Sequence, residues 1–241
     1  MRKTLLLAGV ACLFAAQAEA FDFNPYVSAK LKYSMMDNSW KATEVDDTDW
    51  GAFEESYDLK NADDKVFGGS IALGMKTPLA HGALRTEVEY TRNGNAKKSR
   101  SYQEESDDYE YSEKFDIKLK SQALLFNAYY DFDTQTAFTP YIGFGLGFAR
   151  LKGTMSYNYE DAYEETNISG SKNRTNFAWQ IGAGIAYDIS KNVAIDLGYR
   201  YMDYGKLSTN WHKEYEWGDM DITSKVKSKA HEIMLGLRYT F

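Results

Sequence analysis

Acid–base or nucleophilic chemistry would draw first on histidine, and the chain offers three: His81, His212 and His231. None stands in a spacing that suggests a Ser-His-Asp arrangement. His212 with Asp219 or Asp221 is the one pairing that a rim-located enzyme could use, and the chain is read as a non-enzyme. Carboxylates are denser. Asp37, Glu44, Asp46, Asp47, Asp49, Glu54, Glu55, Asp58, Asp63 and Asp64 crowd one stretch that holds only Lys41, Lys60 and Lys65 in return. Oxygen ligands at that density suit a hard cation such as calcium, but the spacing is not that of an EF-hand loop. A solvated acidic segment explains the stretch, so no metal and no cofactor are expected.

Two other groups have the chemistry of packing and recognition. Lys30, Lys32, Arg85, Glu87, Glu89, Asp196, Arg200, Glu232 and Arg238 bring both signs into otherwise apolar segments, where they would form a salt-bridged polar cluster. Trp40, Trp50, Tyr109, Tyr111, Tyr159, Trp211 and Trp217 lie in the polar stretches between those segments. Such side chains give large contact area at little entropic cost on a recognition surface. They would equally serve as cross-strand pairs that extend a sheet.

The elements that must position these residues have a period of two. His231, Ile233, Leu235, Leu237, Tyr239 and Phe241 share one face of the last segment, and Glu232, Met234, Gly236, Arg238 and Thr240 share the other. Seven earlier segments alternate in the same way, near residues 26–35, 67–75, 84–90, 124–132, 138–149, 177–188 and 193–202. Each has roughly the 9 to 11 residues that a tilted strand needs to cross hydrocarbon. Three connections are tight: Thr77 to Gly82, Asp133 to Ala137, and Ser190 to Asn192. Four others, near residues 37–65, 92–114, 151–174 and 203–228, read as long loops.

The sign of each face separates a soluble β-sandwich from a membrane barrel. In a barrel the apolar face meets lipid and the charged face turns into the lumen. A one-residue slip of segment 193–202 would send Asp196 and Arg200 to lipid, at about 2 to 4 kcal/mol for a basic residue near the midplane. The inward column Gly143, Gly145, Gly147 and Ala149 would have no purpose facing water, whereas in a narrow barrel it makes room for large neighbours such as Arg200 and Arg238. The reading is therefore all-β: an eight-stranded antiparallel transmembrane β-barrel with four long extracellular loops and short periplasmic turns. An eight-stranded lumen is about wide enough for side chains to fill, so no large pore is expected. The alternative is a small-solute channel.

Arg2 and Lys3 precede the apolar run Leu5 to Ala16, which stops at Ala18-Glu19-Ala20, as a secretory signal peptide does. Residues 1–20 are read as that signal and 21–241 as the barrel. Loss of the first 20 residues, with Arg2, Lys3 and Glu19, moves the net charge from −7 to about −8 and removes Cys12, the one cysteine, so neither disulfides nor thiol chemistry remain. The mean hydropathy is negative, and no second long apolar run exists to form a helical span. An acidic chain of this kind suggests no nucleic-acid partner.

Thr139-Pro140-Tyr141-Ile142-Gly143-Phe144-Gly145-Leu146-Gly147-Phe148, then Phe177-Ala178-Trp179-Gln180-Ile181-Gly182-Ala183-Gly184, Asp196-Leu197-Gly198-Tyr199-Arg200-Tyr201 and Gly236-Leu237-Arg238-Tyr239-Thr240-Phe241 together resemble the opacity-type or OmpA-like outer-membrane β-barrel family, a porin-family group of surface antigens. The resemblance implies eight antiparallel strands in the outer membrane of a Gram-negative bacterium. It also implies assembly by the β-barrel assembly machinery, directed in part by Tyr239 and Phe241. Adhesins, surface antigens and proteins that support envelope integrity belong to it. The partners expected are outer-membrane lipid and a host or environmental surface ligand met through the loops, with the protein a monomer. The peptidoglycan-binding module of larger members is not expected.

Overall fold

The computed structural model describes residues 23–48, 51–106, 109–161, 165–215 and 218–241. The proposed signal, residues 1–20, lies outside them. Nine strands follow one another: β1 Asn24–Thr48, β2 Gly51–Leu79, β3 Gly82–Asn93, β4 Ala96–Ser106, β5 Tyr109–Phe132, β6 Phe138–Asp161, β7 Glu165–Asp188, β8 Val193–Tyr215 and β9 Gly218–Thr240. Gly94 and Asn95 interrupt what is otherwise one stave, β3 with β4, so the nine strands make eight staves. β1 pairs with β9 and β3 with β5, both antiparallel, and the sheet closes on itself. Closure leaves the membrane-spanning part without an unpaired edge, a requirement where no water can serve backbone groups.

The faces have the sign expected. Leu31, Phe67, Ile71, Leu73, Leu124, Phe126, Ile142, Phe144, Phe148, Phe177, Ile181, Leu197, Leu235 and Leu237 are exposed on the outer wall, while Glu87, Glu89, Asn127, Gln180, Arg200 and Glu232 are buried inside. Ring pairs reinforce the outer wall where strands meet, as between Phe138 and Tyr187, with centroids 4.9 Å apart, and Tyr239 and Phe241, at 5.3 Å. The start of β1, the C-terminal Phe241 and the three short turns share one end. There Phe241 N–H donates to the Pro25 carbonyl at 3.0 Å and Thr240 N–H to that of Asn192 at 2.8 Å, which ties the last strand into the rim.

At the opposite end the structure departs from the sequence reading. The stretches read as long loops are continuations of the strands: β1 and β2 pair from Asn24↔Lys76 to Thr48↔Gly51, and β6 and β7 from Phe138↔Tyr187 to Glu160↔Glu165. Above the lipid-facing zone the barrel also divides. β7–β8 pairing stops at Trp179↔Asp203, and β2–β3 pairing stops at Gly68↔Asn93. What continues is two four-stranded sheets, β2-β1-β9-β8 and β4-β5-β6-β7, separated by seams on opposite sides of the cylinder.

A bulge sets one seam. Gly205 takes φ +84°, its N–H donates to Asp203 Oδ1 at 2.7 Å, and a Cβ there would lie 2.5 Å from Asn176 Cβ, so only glycine fits where β8 swings away from β7.

The facing sheets bury Met36, Val66, Val226 and Leu207 against Ala96, Leu119, Ala149 and Leu151. They are close enough that a Cβ on Gly153 would lie 2.9 Å from Leu207 Cδ2. The sandwich rejected for the membrane zone is thus the architecture of the part outside it. Polarity inverts at the boundary because the outer surface passes from lipid to water: apolar side chains point out below it and in above it.

Candidate functional site

The nine charged residues singled out from the sequence all point into the lumen, where five cations, Lys30, Lys32, Arg85, Arg200 and Arg238, meet five anions, Glu87, Glu89, Asp131, Asp196 and Glu232. The fifth anion, Asp131, was absent from the sequence-based set although its parity in the alternating segment placed it inward.

The upper layer is tight. Arg200 bridges Glu89 (Nη1 to Oε1, 2.9 Å) and Glu232 (Nε to Oε2, 2.7 Å). Lys32 reaches Glu232 at 3.1 Å and Thr91 Oγ1 at 2.5 Å, while Tyr204 and Ser34 donate to Glu232 at 2.7 and 3.0 Å. In the middle layer Lys30 lies 2.5 Å from Glu87 and 3.0 Å from Glu89, and Asn127, Tyr26 and Tyr129 supply the remaining donors. Charges buried this fully persist only when paired and hydrogen-bonded.

The lower layer is looser. Arg85 pairs with Asp131 at 2.7 Å and lies beside the edge-to-face pair of Tyr129 and Tyr141, 4.9 and 4.7 Å from their centroids. Arg238 is 3.6 Å from Asp196, and Lys76 is 3.8 Å from Asp131. A polar recess of about 470 Å³ opens at this end, among Lys76, Asp188, Lys191 and Arg238.

The glycine column of β6 serves neighbours other than those expected. A Cβ at Gly143 would strike the Tyr129 ring at 2.1 Å and one at Gly145 the Asn127 amide at 1.9 Å, while Arg200 is accommodated by Gly182 on β7. Arg238 needs no place in that column.

Above the ionic layers, Asn93 hands over to the apolar core, donating to Tyr204 Oη at 2.8 Å and Ser121 Oγ at 3.0 Å and touching Met36 Sδ at 3.6 Å. Sequence reasoning missed the apolar seal beyond it, formed by Met36, Leu119, Leu151, Met202, Leu207 and Val226. The signal was available: Lys118-Leu119-Lys120, Arg150-Leu151-Lys152 and Lys225-Val226-Lys227 alternate with the apolar residue inward.

Trp40, Tyr109, Tyr111, Tyr159 and Trp211 fall on the strand extensions, but their side chains lie outside the described residues, as do Trp50 and Trp217 altogether. Register sets His212 opposite Asp221, and these side chains too are outside the described set. His231 sits on the outer wall between Tyr199 and Tyr201, its Nδ1 2.6 Å from Tyr199 Oη. On the outer face of the extension, a hydrogen bond from Ser99 holds the Asp116 carboxyl below its usual pKa.

This geometry, a closed and filled barrel bearing a sandwich head, can be set beside known proteins. The family model of the outer membrane protein beta-barrel domain matches residues 4–241. The chain belongs to that family. As an outer-membrane β-barrel protein it is 32% identical to outer membrane protein PagN of Salmonella typhimurium, over 73% of each chain. It is 26% identical, over 99% of each, to RC1281 of Rickettsia conorii, named as a candidate adhesin. Among solved structures, this barrel aligns with Neisserial surface protein A at 24% identity and a TM-score of 0.45, over 90% of this chain and 97% of that one.

Proposed function

We propose that the protein is a non-conducting scaffold that carries four β-hairpin tips away from the outer membrane to attach the cell to another surface. The observation that carries this reading is the double closure of the lumen, by ion pairs in the membrane and by an apolar seal above them. A cylinder filled in this way has no water column for solute. What remains available for interaction is the head, whose hairpins continue the strands rather than hanging as loose loops. The aromatic residues on those hairpins suit contact with a partner. The adhesin designation of the Rickettsia relative points in the same direction. The reading assigns no catalytic role to His212 or to the lumen carboxylates, and treats the protein as a monomer.

The test compares whole cells that display the intact protein with cells that display versions trimmed of residues 44–55, 104–111, 159–166 or 213–220. Attachment to host cells or extracellular matrix should fall for at least one trimmed version that still shows heat-modifiable mobility. Unchanged attachment for all four would overturn the adhesive reading. Stable large conductance steps in planar bilayers would overturn the sealed-lumen reading independently.

A further inference from the structure

We propose that the outer face of β4-β5-β6, immediately beyond the lipid-facing zone, binds the phosphate groups of glycolipid headgroups in the outer leaflet. The face begins where the apolar wall stops. Leu124↔Phe148 is the last outward apolar pair on β5 and β6; the next outward pair is Gln122↔Arg150, the next Lys120↔Lys152, and beyond it Lys118 lies opposite Lys97. All five cations are exposed.

Register shows how unusual this is. Lys120 faces Lys152 directly, and Lys118 faces Lys97. Like charges directly opposite each other across a sheet are destabilising. No carboxylate is the direct cross-strand partner of any of the five: Lys152 otherwise faces Asn173, Arg150 faces Thr175, and Lys118 faces Thr154. The nearby Asp116 lies 3.7 Å from Lys114 and also attracts Lys118, one carboxylate against several cations.

The β8-β9 sector offers a contrast in the same molecule. There Lys229 stands between Asp37 and Asp203 in register, so its charge is matched from within the protein. On β4-β5-β6 Asp116 offsets part of the charge at Lys114 and Lys118, and the surplus around Lys97, Lys120, Arg150 and Lys152 is left to be matched from outside.

Depth identifies the source. Two residues along a strand advance about 6 to 7 Å, and the headgroup region is about 5 to 8 Å thick on each side of the hydrocarbon. Arg150 is therefore at headgroup level, and the Lys120 and Lys152 ammonium groups reach it by bending their stems toward the membrane. With the hairpin end outside the cell, as in barrels of this class, the phosphates met at that depth are those of outer-leaflet glycolipid. A guanidinium beside several ammonium groups suits clustered phosphate oxygens.

The test uses the complete barrel, refolded in neutral detergent and titrated with bis-phosphorylated lipid A or its dephosphorylated form, with bound glycolipid counted by native mass spectrometry. The parent should retain the phosphorylated form selectively. A Lys118→Gln, Lys120→Gln, Lys152→Gln variant should bind it on the order of a hundredfold more weakly, since each cation near an anionic surface contributes about a fivefold preference. Lys191→Gln at the short-turn end, which also removes one charge, should bind as the parent does.

Relief of like-charge repulsion gives a second readout. Without glycolipid the triple variant should melt at or above the parent's temperature, whereas with glycolipid the order reverses. Should the triple variant fail to fold, Lys152→Glu tests the same point: it should raise lipid-free stability and lower glycolipid retention. Equal retention by parent and variant, or of phosphorylated and dephosphorylated glycolipid, would overturn the proposal. So would preferential binding of a soluble sulfated polysaccharide at the same lysines.

Discussion

Replacing Glu232 with leucine removes the carboxylate on which the upper lumen layer converges. In the parent, Glu232 takes Lys32 Nζ at 3.1 Å, Arg200 Nε at 2.7 Å, and the hydroxyls of Tyr204 and Ser34. After the change Arg200 still has Glu89 at 2.9 Å, but Lys32 is left with the hydroxyls of Thr91 and Tyr204 and no carboxylate in hydrogen-bond contact. Lys32 and Glu232 both have fully buried side chains, so Glu232→Leu should cost about 3 to 5 kcal/mol, the range for breaking a buried pair from one side.

Adding Lys32→Met removes the stranded charge and restores the balance of signs. The double variant should return to within about 1 kcal/mol of the parent, because apolar replacement of a whole buried pair is often neutral or better. The coupling energy of the cycle is then on the order of 3 kcal/mol. Urea unfolding of the refolded barrel, followed by tryptophan fluorescence, reads it: at a slope of about 2 kcal/mol per molar, the single variant loses about 2 M in midpoint. A single variant within about 1 kcal/mol of the parent would mean that water already serves Lys32, and the filled-lumen argument would fail. A double variant as unstable as the single one would refute the charge-balance reasoning specifically.

Arg85→Lys should cost about 1 to 2 kcal/mol despite keeping the charge, because lysine forfeits the delocalised guanidinium that approaches both the Tyr129 and Tyr141 rings while bonding Asp131; equal unfolding midpoints would contradict this. Gly205→Ala places a side chain at φ +84° against Asn176 and should open the β7–β8 seam, seen as faster limited proteolysis of the head with the membrane zone still protected. Leu151→Ala should lower stability by about 2 to 4 kcal/mol through an unfilled cavity in the sandwich core, and unfolding in urea checks it. Combining it with Met202→Ser should turn silent planar-bilayer recordings into brief small openings; silence would place the barrier in the ionic layers alone.

The parity of every membrane segment was legible because lipid imposes one sign on one face. Ile195, Leu197 and Tyr199 had to face outward once Asp196 and Arg200 were kept from lipid. The inward cluster was legible for the same reason, down to its mixed signs. Its pairing was not: Arg200 joins Glu89, 111 residues away, and Lys30 joins Glu87, 57 away, and only closure of the cylinder brings them together.

The stretches between segments misled because the rule inverts where lipid ends. Lys118-Leu119-Lys120 carries the same period of two as Leu235-Gly236-Leu237, with the greasy position inside instead of outside. A search for lipid-facing stripes passes over it. The Gly205 bulge, which displaces the register between Asp203 and Gly205, further blurs the count on β8.

The divided head makes the molecule a pedestal. From Phe148 to the end of β6 at Asp161 the chain runs thirteen residues, which at about 3.3 Å each and a tilt near 40° lifts the tip on the order of 30 Å above the acyl chains. That height is held by paired backbone along the described strands, with a packed interior at the base of the head around Leu119, Leu151, Leu207 and Val226, so the strands leave the membrane in a set arrangement. A flat target could then be gripped at several points at once, each weak by itself and strong together, while the tip residues remain free to change without disturbing anything in the bilayer.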